Sequence, residues 1–222
     1  MARLEIACFN LASALIAQEN GANRVELCDG LDVGGTTPSF ETINKAKDFL
    51  TIDLYVMIRP RGKNFVYTDA ELEQMKKEIQ EFKKINVNGF VFGILNEDKA
   101  INIKQNAELV QLAHPYPCTF HRAFDEVEDA SLVLEQIIDC GFTTILTSGQ
   151  AQNVVDGIHQ LAALVEKANN RIAIMPGGCL RSSNIGFIQQ ETKANWFHSS
   201  AITDGKEMAN PNEIIALKSN LK

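Results

Sequence analysis

The feature that most constrains this chain is one unit repeated eight times along its 222 residues: a short apolar strand, a loop and an amphipathic helix. Apolar runs with strand character fall at residues 4–8, 24–28, 52–58, 89–94, 118–121, 143–147, 172–175 and 195–199. Helical periodicity fills the gaps. Asn10, Ser39 and Asn210 stand where N-caps belong, with Pro211 in the first turn of the last helix. Thr68 followed by Glu71 reads as a capping box, ahead of Leu72, Met75, Ile79 and Phe82 on one helix face. Further helices are predicted over 103–113, 130–140, 154–168 and 183–191, and Gly141 ends the second of these as a C-cap would.

Parallel strands need crossover connections, so eight such alternations predict a parallel sheet wrapped in helices. A closed sheet satisfies that count better than an open one. No G-x-G-x-x-G follows the first strand, so no nucleotide cofactor is expected. The expected fold is α/β, a single-domain TIM (β/α)₈ barrel spanning residues 1–222 with a closed parallel sheet.

Composition narrows the function. Twenty-one basic residues against 28 acidic ones give a formal charge of −7, and no basic stripe is present. Neither nucleic acid nor an anionic membrane surface is an expected partner. No apolar stretch is long enough for a membrane span, and the first residues lack a signal core. Five cysteines without C-x-x-C spacing point to reduced thiols and a cytoplasmic location.

In such a barrel, chemistry collects at the C-terminal strand ends. Strand one carries Glu5, and strand two carries Glu26 and Cys28. Strand three ends at Arg59 and Arg61, strand five at His121 and Arg122, with Asp125 beyond. Thr147 ends strand six, Gly177-Gly178 follow strand seven, and His198, Ser199 and Ser200 lie at strand eight. Alternation places Tyr55, Met57 and Arg59 inside, and pairs Thr119 with His121 and Trp196 with His198. Buried carboxylates beside an arginine form either a structural ion pair, such as Glu26–Arg59, or a ligand site. Their gathering at one rim favours the site. Gly177, Gly178, Ser199 and Ser200 occupy the position at which many barrels cradle phosphate through backbone N–H groups, and Arg181 lies close by in sequence. Cys118 and Cys140 read as core fillers, while Cys8 and Cys28 end adjacent strands and make a two-thiolate Cu(I) site conceivable.

The same segments resemble the CutC copper-homeostasis family. They are Leu4-Glu5-Ile6, residues 21–28 and 34–39, Ile58-Arg59-Pro60-Arg61-Gly62, residues 119–125, Leu146-Thr147-Ser148-Gly149, Met175-Pro176-Gly177-Gly178 and residues 197–201. The resemblance implies a TIM barrel, a cytoplasmic homodimer, copper homeostasis and copper-ion binding. Two departures stand out. Ala7 holds the place where family members often carry cysteine, and the thiol follows one residue later at Cys8. A one-residue shift turns a strand side chain to the other face, which points Cys8 at the helices and Cys28 into the barrel. The stretch from Ile202 to Lys206 is also short, so a lid over the mouth is expected to be reduced.

Two functions follow. The first is copper handling, with Cys28 and Cys8 as metal ligands. The second is an enzyme acting on a small anionic substrate, phosphorylated ones included. Glu26 or His121 then serves as general acid or base, with Arg59 also in the catalytic set. Arg59 and Arg61 clamp the anion, and Glu5, Arg122, Asp125, Thr147, Gly177, Gly178, His198, Ser199 and Ser200 complete the substrate site. A variant gives Glu5, Glu26, His121 and His198 to a divalent metal.

Overall fold

Residues 2–221 are described by the computed structural model. The chain opens with β1 (Arg3–Cys8), α1 (Leu11–Glu19), β2 (Arg24–Leu27) and α2 (Phe40–Phe49). It continues through β3 (Asp53–Met57), α3 (Asp69–Lys84), β4 (Gly89–Phe92) and α4 (Ile103–Ala113). Next come β5 (Cys118–Phe120), α5 (Ala130–Asp139), β6 (Thr144–Thr147) and α6 (Ile158–Ala168). The last elements are β7 (Ala173–Pro176), α7 (Ile185–Thr192), β8 (Trp196–Ser199) and α8 (Pro211–Ser219). Short 3-10 turns at Leu31–Val33 and Arg122–Glu126 sit in the loops after β2 and β5.

All strand pairings are parallel, in the order β7-β6-β5-β4-β3-β2-β1-β8. A parallel bridge between Gly177 and His198 joins the two ends and rounds the sheet into a barrel. Capping follows the sequence signals. The Asn10, Ser39 and Asn210 side chains accept N–H groups from the first turns of α1, α2 and α8, and Thr68 with Glu71 forms the full capping box on α3.

One boundary differs from expectation. The helix read from residue 154 begins only at Ile158, because residues 150–157 form a turn that docks on the barrel. Val154 N–H donates to the Gly178 carbonyl at 3.0 Å. Gly157 passes so close to β6 that an added Cβ would lie 1.9 Å from the Ser148 carbonyl oxygen.

Two apolar layers result from strand alternation. Leu4, Ile6, Leu27, Leu54, Val56, Phe90, Phe92, Phe120 and Phe197 pack toward the helices, all fully buried. Each contributes about 1.5–3 kcal/mol by leaving water. Inside the barrel the apolar cluster is small: Cys28, Tyr55, Met57 and Val91, with Phe9 against it. The interior also carries a polar set. Glu5, Arg24, Glu26, Arg59, Thr119, His121 and Thr144 are buried there.

Candidate active site

Register sets the innermost polar row. Glu5 on β1 faces Arg24 on β2 and His198 on β8 as direct strand neighbours. Arg24 Nε donates to Glu5 Oε2 at 2.5 Å, and its guanidinium lies between the Tyr55 and Trp196 rings, 4.0 Å from each centroid. Cation–π contact on both faces suits a guanidinium that has left water. His198 Nδ1 stands 2.7 Å from Glu5 Oε1, so the ionised carboxylate fixes the proton on Nδ1. His198 Nε2 is then turned toward Glu26 Oε2 at 3.7 Å. The other Glu26 oxygen, Oε1, is buried without a hydrogen-bond partner.

The two carboxyls are driven apart. Burial works to raise Glu5, but the Arg24 charge and the His198 hydrogen bond outweigh it and hold Glu5 below the ordinary value. Glu26 has no such arginine contact. Burial pushes it up to about 7, against the pull of His198 and with Glu5 adding repulsion. For His198, burial opposes the charged form, yet the Glu5 hydrogen bond and the Glu26 and Glu5 charges raise it. A carboxyl that titrates near neutrality thus stands beside an imidazole whose proton affinity is raised, and a group poised near neutrality suits a general acid or base.

Glu26 and His198 open onto a cavity of about 240 Å³ at the C-terminal ends of the strands. Cys28, Met57, Arg59, Phe65, His121, Arg122, Gly178, Ser199 and Ser200 also line it. His121 forms the far wall. Its Nδ1 accepts the Ala123 N–H at 3.3 Å, its ring lies 4.6 Å from that of Phe65, and Nε2 is buried without a partner. Burial, with the Arg59 charge adding to it, lowers His121 to about 3, so the imidazole is neutral. An unpaired buried N–H costs about 1–3 kcal/mol.

Arg59 does not pair with Glu26. Its Nη1 donates to the Val33 and Gly35 carbonyls at 2.9 and 2.6 Å, and its Nη2 to the Lys63 carbonyl at 3.0 Å. It therefore ties the loop after β2 to the loop after β3. The buried ion pair runs between Glu5 and Arg24, a residue that the sequence reading passed over. Its signal was present: Arg24, Glu26 and Cys28 share one strand parity.

Arg61 turns away to Glu71 (2.6 Å) and the Val66 carbonyl (2.7 Å), so it does not clamp the cavity. Asp125 and Thr147 lie behind the rim. Asp125 accepts from Thr147 Oγ1, from the Ser148 and Gln150 N–H groups and from Arg122 Nε, bracing the loop after β6. Glu5 stands behind His198, and Gly177 serves the barrel-closing bridge. Gly178, at φ +120°, faces the cavity. An added Cβ there would lie 3.0 Å from Ser148 Cβ and 3.4 Å from Arg122 Cζ. Arg181 also borders the cavity, held by the Ile202 carbonyl and Ser199 Oγ.

The thiols do not pair. Cys8 packs in the helix-facing core, whereas Cys28 belongs to the barrel interior. Burial, followed by the nearby Glu26, raises both thiols well above the ordinary range, which opposes thiolate formation. A Cu(I) site built from Cys8 and Cys28 does not fit. Among the described residues, one candidate metal group is present: Glu5, Glu26 and His198, with ligand atoms within 4.8 Å of one another. Glu5 and His198 Nδ1 are already engaged there, leaving Glu26 and His198 Nε2 as free donors. His121 is not part of that group.

The arrangement defines a TIM barrel with a pocket of buried carboxyl, imidazole and guanidinium groups at its C-terminal mouth. The CutC family model matches residues 2–203, and the chain belongs to the CutC family. It is 46% identical over 203 residues to family protein CutC of Parabacteroides distasonis, covering 90% of this chain and 84% of that one. It is 41% identical over 198 residues to the human copper homeostasis protein cutC homolog, covering 89% and 72% respectively. A crystal structure of CutC from Streptococcus agalactiae superposes with a TM-score of 0.87 at 38% identity, covering 91% of this chain and all of that one. Phosphoribosylanthranilate isomerase from Thermotoga maritima shares the fold, at a TM-score of 0.66 and 13% identity over 99% of this chain and 98% of that one. No helix among the described residues is long and apolar enough to cross a membrane.

Proposed function

We propose that the barrel mouth is an acid–base active site for a small anionic substrate, with Glu26 exchanging a proton with the substrate. One observation carries this reading: Glu26 is buried, unpaired at Oε1 and 3.7 Å from His198 Nε2, at the wall of an accessible cavity. The Glu5–His198 pair holds the imidazole so that Nε2 can take up or return that proton, as an oriented acid–base dyad does. Arg122, Arg181, the Gly178 backbone and Ser200 supply the anion-binding side. A cytoplasmic homodimer completes the reading.

Calorimetric titration with inorganic phosphate and glycerol 3-phosphate tests it. An anion near Glu26 raises its proton affinity, so binding at pH 7 is expected to take up protons. That uptake disappears in Glu26→Gln. Absence of binding at millimolar anion, or uptake unchanged in the variant, overturns the reading.

The names of the human and mouse relatives support a second reading, a role in copper homeostasis. The Glu5, Glu26 and His198 group favours it, with Glu26 and His198 Nε2 holding the ion and Cys28 just past the end of β2. Stoichiometric Cu(I) or Cu(II) binding that is lost in Glu26→Gln but kept in Cys8→Ser supports this reading. Protein that leaves both ions free in solution refutes it.

A further inference from the structure

The interior offers a second feature that proton exchange at Glu26 alone does not use. His121 lies on β5's carboxyl end, three strands around the barrel from Glu26 on β2, and both side chains line the same cavity. Two contacts fix its imidazole. The Ala123 N–H points at Nδ1, which makes that nitrogen the acceptor and leaves the ring proton on Nε2. Gly93, just past β4, makes room for the ring, since an added Cβ would lie 2.8 Å from Nδ1 and 3.0 Å from Cε1. Phe65 covers one side of the imidazole. What remains is a buried Nε2–H donor with no acceptor among the described residues.

We propose that His121 Nε2–H binds a carbonyl oxygen of the substrate, and that the reaction is enolisation: removal by Glu26 of a proton from the carbon next to that carbonyl. This rests on the acid–base reading of the pocket and names its substrate class, a small anionic aldehyde, ketone or carboxylic acid derivative. The electrons balance within substrate and protein. Glu26 takes the proton, the broken C–H pair becomes the C=C bond, and the carbonyl π pair moves to oxygen, where the Nε2–H donates to it. For an α-hydroxy carbonyl substrate, return of the proton to the adjoining carbon, with the hydroxyl proton passing to the former carbonyl oxygen, gives an isomer with no oxidant or co-substrate needed. A carboxylate base set against a neutral imidazole donor suits this step, because a donor that keeps its proton stabilises an enolate without quenching the base.

The test compares two phosphate-bearing probes on the intact protein. Phosphoglycolohydroxamate is a planar enediolate mimic, whereas glycerol 3-phosphate carries the same anion on a tetrahedral carbon. The planar probe is expected to bind on the order of a hundredfold more tightly, as mimics of a reaction intermediate do. The His121 Nε2–H proton resonance moves downfield on its binding. His121→Phe is expected to abolish the preference while keeping glycerol 3-phosphate affinity. If that variant does not fold, the preference and the resonance shift of the wild-type protein decide alone. Equal affinity for the two probes overturns the enolisation proposal and leaves the anion pocket standing. Failure of both to bind overturns the acid–base reading, and this proposal with it.

Discussion

Arg24 and Glu5 are register neighbours on β2 and β1, and their ion pair is almost sealed from water, with side-chain exposures of 4% and 0%. Removing one partner of such a pair leaves a buried charge unbalanced, at a cost of about 3–5 kcal/mol. Arg24→Met is expected to lose stability of that order in urea denaturation. Arg24→Met combined with Glu5→Gln is expected to recover part of it. A single substitution costing less than about 1 kcal/mol would show that the pair is not the anchor of the site.

Glu26 sets a pH dependence of stability. Its folded value of about 7 lies above the ordinary 4.5, so the folded chain binds this proton more tightly than the unfolded chain. The contribution is whole below about pH 4.5 and is lost as pH rises through about 7. Glu26→Gln keeps the neutral form at all pH. It is expected to raise stability at pH 8 by up to about 3 kcal/mol, or several degrees in Tm, with little gain at pH 4.5. Sharing of the proton with His198 reduces the figure. A variant equally stabilised at both pH values contradicts the assignment.

Gly93→Ala places a methyl group against His121. Overpacking of this kind costs about 1–3 kcal/mol. Thermal unfolding should register that loss, and the ¹⁵N signals of His121 should move as the ring is pushed off Ala123. An unchanged His121 spectrum would mean that the ring is not held by the β4 backbone.

The thiols should differ sharply in reactivity. Cys179 is exposed, at positive φ (+54°) beside Gly178, while Cys8, Cys28, Cys118 and Cys140 are buried. Titration of the folded protein with a thiol-reactive disulfide reagent is expected to modify one cysteine quickly. The other four should react only on unfolding. Fast modification of two or more sites, or protection of Cys179, would contradict this placement.

Most of the fold was legible because its causes are periodic. Apolar strands recur in step with capped helices, and parity alone puts Tyr55, Met57, Arg59, His121 and His198 inside and Cys8 outside. The partners of those residues were not legible. Arg59 meets loop carbonyls and Arg61 meets a helix cap, because backbone acceptors leave no trace in residue identity. Arg24 went unnoticed at a strand start, where its two aromatic neighbours come from β3 and β8 and only strand order brings them together. The turn at 150–157 followed an apolar helical pattern that close backbone approach at Gly157 overrides.

The three carbonyls gripped by Arg59 have a bearing on traffic through the barrel. Val33 and Gly35 belong to one loop and Lys63 to the next, so a single guanidinium makes the two move as one plate. Those two of the eight loops around the entrance form a fixed doorpost.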